Sequence, residues 1–342
     1  MKAIRIHEHG GPENLIYEDI AEPKTAPGEV LINIKAAALN HLDIWVRSGS
    51  TGADYNLPRI PGSDVAGVVS EIGSEVKKVK TGDEVILYPA NFCGSCDECK
   101  LGRQTFCKSY APLGTLIDGG DAEYIVVPEH NLLPKPENLS FNEAAAFPLV
   151  FLTAWHMLIS LGKVKEGDKV LVHAAGSGVG SAAIQIAKQF SARVFTTSSS
   201  DEKLEKAKEI GADVTINYDT EKFQDVIYRD TDGEGVDIVI EHVGPATWKE
   251  SMRSLKKGGR LVTCGATTGP IAELELRLIF SRQISIHGSY MGNLSELNDV
   301  MRYINSGAFK PIVDSVFELK DAPSAHRHME SRNQFGKIIL NP

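Results

Sequence analysis

The sequence predicts an α/β protein in two parts: a mostly β part at 1–147 and 288–342, and a doubly wound parallel sheet at 148–287. Two observations carry this. After Leu149, strands alternate with amphipathic helices in sequence, the pattern of a parallel sheet with helices on both faces. Before it, short apolar runs are separated by Gly and Pro and helical period is scarce, which suits a partly barrel-like β domain. At 342 residues, 42% hydrophobic and 24% charged, the chain can hold two domains and a sizeable core.

The first part reads as strands over Glu29–Ile34, Val65–Ile72, Glu84–Tyr88 and Ala122–Val127, bounded by Pro27-Gly28, Pro61-Gly62 and Thr81-Gly82-Asp83. The stretch Ala144–Leu161 carries no acidic or basic residue except His156 and approaches a membrane span in length. Pro148, Thr153, His156 and Ser160 interrupt it, so it reads as a buried helix crossing between domains. The alternation then runs strand Val170–His173, helix Ser181–Phe190, strand Arg193–Thr197, helix Asp201–Ile210, strand Val214–Ile216, helix Glu221–Tyr228 and strand Val236–Val243. Helix Thr247–Leu255, strand Arg260–Cys264, helix Glu273–Phe280 and strand Ile284–His287 complete it. The tail holds a helix, Leu294–Ile304, and ends in the strand-like Lys337-Ile338-Ile339-Leu340. Because the parallel sheet is already complete, the tail returns to the first domain. A small-molecule substrate is then expected in the cleft where two such domains meet.

A net charge of -9 without a long basic run argues against nucleic acid and anionic membranes as partners. Met1–His7 reads directly as a strand, with no apolar core of signal-peptide length, so a cytoplasmic location is expected.

The turn His173-Ala174-Ala175-Gly176-Ser177-Gly178-Val179-Gly180-Ser181 joins a buried strand to a helix. Glycines let the backbone approach a diphosphate, and the unpaired N–H groups at a helix start favour negative charge. A dinucleotide is the expected ligand at Gly176, Ser177, Gly178, Val179 and Gly180; a merely tight connection is the competing reading. A sheet that selects NAD places an acidic residue at the end of its second strand. Ser198 stands there in Arg193-Val194-Phe195-Thr196-Thr197-Ser198, leaving room for a 2′-phosphate, so NADPH is expected.

Cys93, Cys96, Cys99 and Cys107 lie in one loop. Four thiolates at these spacings can wrap one tetrahedral Zn²⁺ and leave no coordination position open, which makes the metal structural, one per chain. Disulfides fit a cytoplasmic chain poorly, while an iron–sulfur cluster remains compatible with the spacing. Cys264, at the end of a buried strand, reads as a small core residue.

With Pro61-Gly62-Ser63-Asp64-Val65-Ala66-Gly67, Gly82-Asp83-Glu84-Val85, the cysteine loop, the glycine turn and Gly211-Ala212-Asp213 before Asn217-Tyr218, the chain resembles the medium-chain dehydrogenase/reductase superfamily over essentially its whole length. That superfamily includes zinc alcohol dehydrogenases and NADPH:quinone oxidoreductases. The resemblance implies a Rossmann domain inserted in a GroES-like domain. In the alcohol dehydrogenases a catalytic zinc is held by a Cys, a His-Glu pair and a second Cys. The matching positions here are Asn40, Ser63 with Asp64, and Leu149, a poor ligand set for Zn²⁺. Leu42 replaces the hydroxyl that usually starts the proton relay.

The resemblance also implies that His41 lies near the cofactor diphosphate, that Thr153 joins the cofactor site, and that Lys203, Tyr218 and Arg332 clamp the 2′-phosphate. The leading expectation is an NADPH-dependent reductase of quinones or α,β-unsaturated carbonyls, working without a catalytic metal. Asn40 and Tyr55 are the candidate hydrogen-bond donors to the acceptor oxygen. Asp43 and Asp64 either orient them or anchor loops. A ketone or aldehyde reductase resembling the alcohol dehydrogenases and a non-catalytic NADPH-binding protein are the competing readings. The resemblance implies a homodimer or homotetramer joined through the edge of the parallel sheet.

Overall fold

The structure, a computed structural model, describes residues 1–50 and 55–342. Contacts divide the chain into two units, Met1–Leu149 with Asn293–Pro342, and Val150–Gly292.

The first unit is built on a seven-stranded sheet. In order its strands are Val313–Glu318, Lys337–Asn341, Glu29–Ala38, Asp64–Ile72, Glu84–Leu87 and Leu132–Pro134, with Tyr124–Pro128 also pairing on Glu29–Ala38. Alternate residues of the long central strand, including Val30, Ile32 and Ile34, enter one core with Val65, Val69, Val85 and Leu87. Their burial, roughly 1.5–3 kcal/mol for each large side chain, fixes the pleat. Ala38 is the hinge of the register: it pairs with Asp64 on one side and with Ile339 on the other. Extending the second pairing by two residues sets Lys337 opposite Asn40.

The second unit is a six-stranded parallel sheet in the order Val214–Asn217, Arg193–Ser198, Lys169–Val172, Val236–Glu241, Leu255–Thr263, Ser285–Gly288. Counted from Lys169–Val172 this is 3-2-1-4-5-6, the doubly wound order of dinucleotide-binding sheets. Val170, Leu171 and Val172 are fully buried, as a strand covered on both faces requires.

Several elements differ from the sequence reading. A helix, His41–Ser48, follows the central strand in a part that the sequence predicts to be mostly β with little helical period. It is one amphipathic stretch of eight residues, too short for periodicity to stand out. The tail holds a strand, Val313–Glu318, and a helix, Ala322–Glu330, besides the helix predicted at Leu294–Ile304, which runs Leu294–Asn305. That strand alternates half-buried and exposed residues at the sheet edge, so no apolar run marks it. The helix predicted at Glu273–Phe280 runs Leu276–Arg282, and the strand predicted from Arg260 begins at Leu255. The apolar stretch at 144–161 is broken at Pro148 into the end of helix Phe141–Ala145 and helix Pro148–Trp155, which continues as a π-helical turn, His156–Leu161. Among the described residues no helix is long and apolar enough to cross a membrane.

Candidate functional site

The first unit brings Asn40, Asp43 and Asp64 together around a residue that motif reading passed over. The Lys337 ammonium donates to Asn40 Oδ1 at 2.6 Å and to Asp64 Oδ2 at 3.0 Å. Asn40 Nδ2 donates to Asp64 Oδ2 at 3.0 Å and to the Ala38 carbonyl at 3.3 Å. The other Asp64 oxygen accepts the Leu149 N–H at 2.8 Å, at the start of helix Pro148–Trp155. Asp43 Oδ2 accepts the Asn40 N–H at 2.7 Å and so anchors the start of helix His41–Ser48. Lys337 is 4% exposed and Asp64 0%, so this ion pair is held away from water.

These are the positions where the superfamily resemblance puts catalytic zinc ligands, and the donor set does not fit that metal. Both ends of the Asn40 amide are engaged inside the cluster, Ser63 Oγ donates to the Leu113 carbonyl at 2.7 Å, and Leu149 contributes a backbone N–H rather than a lone pair. A cation is nevertheless present, supplied by the chain itself.

A third carboxylate borders the cluster. Asp121 is fully buried, and neither of its oxygens has a hydrogen-bond partner. A Cβ added to Gly62 would lie 2.4 Å from Asp121 Oδ1, so only glycine fits between. Burial first, then the neighbouring Asp43 carboxylate, raises the Asp121 carboxyl well above the usual range. Asp43 is pushed up to about 6 chiefly by burial, against the Asn40 N–H and Lys337, which favour its charged form. Lys337 bonds Asp64 directly, and the raised pKa values of Asp43 and Asp121 favour the neutral form of those two buried carboxyls.

His41, the first residue of its helix, has its pKa lowered by burial and then by the positive charge of Arg332, so these two cofactor candidates lie close together. Tyr55 is 7% exposed and belongs to the hydrophobic cluster with Ile4, Leu39 and Ile338.

In the second unit, Ser177 caps helix Gly178–Gln189 by accepting the Gly180 N–H at 2.9 Å. A Cβ on Gly180 would lie 2.3 Å from the Ala174 carbonyl, so the turn closes this tightly only with glycine there. The twelve-residue helix presents its positive end beside Gly176, Ser177, Gly178 and Val179. Thr153 is 5% exposed, and its hydroxyl has no hydrogen-bond partner, leaving a polar atom for a bound molecule to satisfy. Ser198 ends the second strand, with its hydroxyl accepting the Ser200 N–H at 3.2 Å. Tyr218, 51% exposed, donates its N–H to the Ser198 carbonyl at 3.1 Å. Lys203 is the third residue of helix Asp201–Glu209. Ser198, Lys203 and Tyr218 thus gather at one end of adjacent strands, while Arg332 belongs to the other unit. The acidic side chain nearby, Asp201, accepts from Asn217 Nδ2 at 2.7 Å.

The four loop cysteines converge, with all sulfurs within 4.8 Å of one another. Cys93 Sγ is 3.9 Å from Cys99 Sγ and 3.5 Å from Cys107 Sγ. Ligands at 2.3 Å around a tetrahedral Zn²⁺ stand about 3.8 Å apart, and a disulfide needs about 2.05 Å, so the cluster fits zinc. N–H groups of Ser95 and Cys96 draw the Cys93 thiol down to about 6, toward the thiolate that a metal requires. Cys264 lies apart, its thiol pushed up to about 12 by burial.

The zinc-binding dehydrogenase family matches residues 178–306, and the alcohol dehydrogenase GroES-like domain matches residues 26–137. The chain belongs to the medium-chain dehydrogenase/reductase superfamily. It is 36% identical to a zinc-type alcohol dehydrogenase-like protein of Schizosaccharomyces pombe, over 97% of this chain and 96% of the relative. It is 30% identical to the quinone oxidoreductase of Mus musculus, over 99% of this chain and 97% of the relative. The crystal structure of an NAD-dependent alcohol dehydrogenase superposes with a TM-score of 0.97 at 44% identity, covering 100% of both chains. As a superfamily member with an oxidoreductase's fold and relatives, the protein is an oxidoreductase.

Lys337 and Asp121 are what motif reading missed. The signal for Lys337 was a lysine opening an apolar strand, where a surface cation is out of place. For Asp121 it was an acid enclosed by Gly119-Gly120 and Ala122.

Proposed function

We propose that the protein reduces quinones or α,β-unsaturated carbonyls with NADPH and uses no catalytic metal. The observation that carries this reading is the Lys337–Asp64–Asn40 cluster, because it saturates the groups that would otherwise ligate a Lewis acid. Without one, an alkoxide is poorly stabilised and simple alcohol oxidation is disfavoured, whereas an activated acceptor needs positioning and modest charge stabilisation.

When bound, NADPH supplies a hydride to an acceptor carbon, the acceptor π electrons move onto oxygen, and a solvent proton completes the product. The chain's part is to hold the reactants. The positive helix end at the glycine turn would meet the diphosphate, Thr153 offers an unsatisfied hydroxyl, and Ser198, Lys203 and Tyr218 would bind the 2′-phosphate, with His41 and Arg332 as candidates by the superfamily resemblance alone. Asn40 and Tyr55 stand as donor candidates, and Asp43 and Asp64 as their supports. Since the Asn40 amide is already engaged, its contribution would come through the cluster's net field. The cysteine loop would hold one structural Zn²⁺. A homodimer or homotetramer joined at the Ser285–Gly288 edge is supported by Leu276 and Phe280 beside it, 67% and 70% exposed; sedimentation as a single chain would refute it.

The test is oxidation of NADPH and NADH against quinones, enones, ketones and aldehydes, with and without chelator. Faster NADPH turnover with quinones or enones, insensitive to chelator, is expected. Greater activity on simple carbonyls would move the reading to a ketone or aldehyde reductase, and tight NADPH binding without turnover to a binding protein. Ser198→Asp should shift preference toward NADH by roughly tenfold, about 1.4 kcal/mol. An unchanged ratio overturns the cofactor assignment.

A further inference from the structure

We infer that Lys337 is a positioning residue for hydride transfer: its buried ammonium stands in for a metal cation, neutralising Asp64 and tying together Asn40 and the starts of two helices. The inference rests on the reductase reading and deepens it.

The geometry is specific. Lys337 opens the strand Lys337–Asn341, yet its side chain is 5% exposed and ends on two buried polar groups at 2.6 and 3.0 Å. Lysine is almost never this buried without a partner that needs it. That partner is Asp64, whose second oxygen holds the Leu149 N–H and with it the first turn of the helix carrying Thr153. Through Asn40 the same ammonium reaches the N-terminus of the helix that begins with His41. One cation therefore braces the starts of two helices.

Charge makes the same point. Asp43, Asp64 and Asp121 are all buried in this region, and Lys337 is the cation bonded among them. Without it, Asp64 would be an uncompensated buried anion, and on the reductase reading its charge would oppose the negative charge that hydride transfer drives onto the acceptor oxygen. The ammonium removes that repulsion and need not touch the acceptor.

The experiment compares parent protein, Lys337→Arg, Lys337→Met and Lys337→Met/Asp64→Asn in NADPH-dependent reduction of a quinone and an enone. Turnover and KM are measured from pH 5 to 8, with melting temperature and circular dichroism as folding controls. Lys337→Met is expected to lose at least thirtyfold in turnover across this range. The double variant should recover to within tenfold of the parent, which separates Asp64 from Asp43 and Asp121, present in both. Lys337→Arg should stay within tenfold. If Lys337→Met does not fold, the other two decide. A folded double variant that is as inactive as the single one, or a folded Lys337→Met with parental turnover and pH profile, overturns the inference. A parent inactive on every acceptor defeats the reductase reading itself, and the inference falls with it. An active parent indifferent to Lys337 defeats the inference alone.

Discussion

Two places in the first unit are organised to hold a positive charge, and they do so by opposite means. The loop of Cys93, Cys96, Cys99 and Cys107 gathers four soft donors at zinc spacing. Asn40 and Asp64 close on the ammonium of Lys337, while the other Asp64 oxygen accepts the Leu149 N–H. A thiolate cage must draw its cation from solution and adds the binding free energy to stability. A covalently tethered lysine is always present, and its ion pair contributes little net stability, because desolvating both charges offsets their attraction. The first arrangement suits a structural clamp. The second suits a site that must remain electrostatically balanced whatever the metal supply.

The most forceful way to break this comparison is to remove the metal. Structural zinc in small domains contributes on the order of 10 kcal/mol of apparent binding free energy, so Cys96→Ser or zinc chelation should cause the largest loss of thermal stability. Turnover per folded molecule should persist, with one zinc per chain by metal analysis before treatment and none after. Two zincs per chain, or activity lost in proportion to zinc with the fold intact, would erase the distinction between the two sites.

Next in size is the ion pair itself. Lys337→Met leaves Asp64 buried without its counter-ion and should cost about 3–5 kcal/mol in denaturant unfolding at pH 8, whereas Lys337→Met/Asp64→Asn should regain most of that. Equal losses in both variants would mean that the lysine acts by packing and not by charge.

The smallest expected effect sharpens the charge balance around the pair. Burial raises the Asp43 carboxyl to about 6 in the folded protein from an ordinary value near 3.8. A raised carboxyl pKa means that the folded state binds the proton more tightly, so its stabilising contribution is complete at low pH and fades as pH rises through about 6. Asp43→Asn should therefore flatten the fall in unfolding free energy between pH 4 and 7 by up to about 3 kcal/mol relative to the parent. Superimposable pH profiles would show that Asp43 is not the group titrating there.

How much of this could be read from residues alone varied with the range of the interaction. The glycine turn, the alternation through Ser285–Gly288 and the four cysteines are local patterns, dictated by backbone sterics, period and ligand spacing. Even the negative finding at Asn40, Ser63 and Leu149 was legible, since it needs only the wrong side chains at known positions. The replacement was not. Asn40 and Lys337 are 297 residues apart in sequence and meet only because Ala38 pairs with Ile339 across the sheet. Asp121 likewise looks like a loop acid until Gly62 is seen packed against its carboxylate.

By itself the sequence determined the superfamily, the order of strands and helices in the parallel sheet, a cysteine loop suited to zinc and a poor zinc ligand set at Asn40, Ser63 with Asp64, and Leu149. These follow from propensity, periodicity and side-chain chemistry acting over short spans. Only the tertiary structure decided what neutralises Asp64, because burial and charge pairing depend on which distant strands share a sheet.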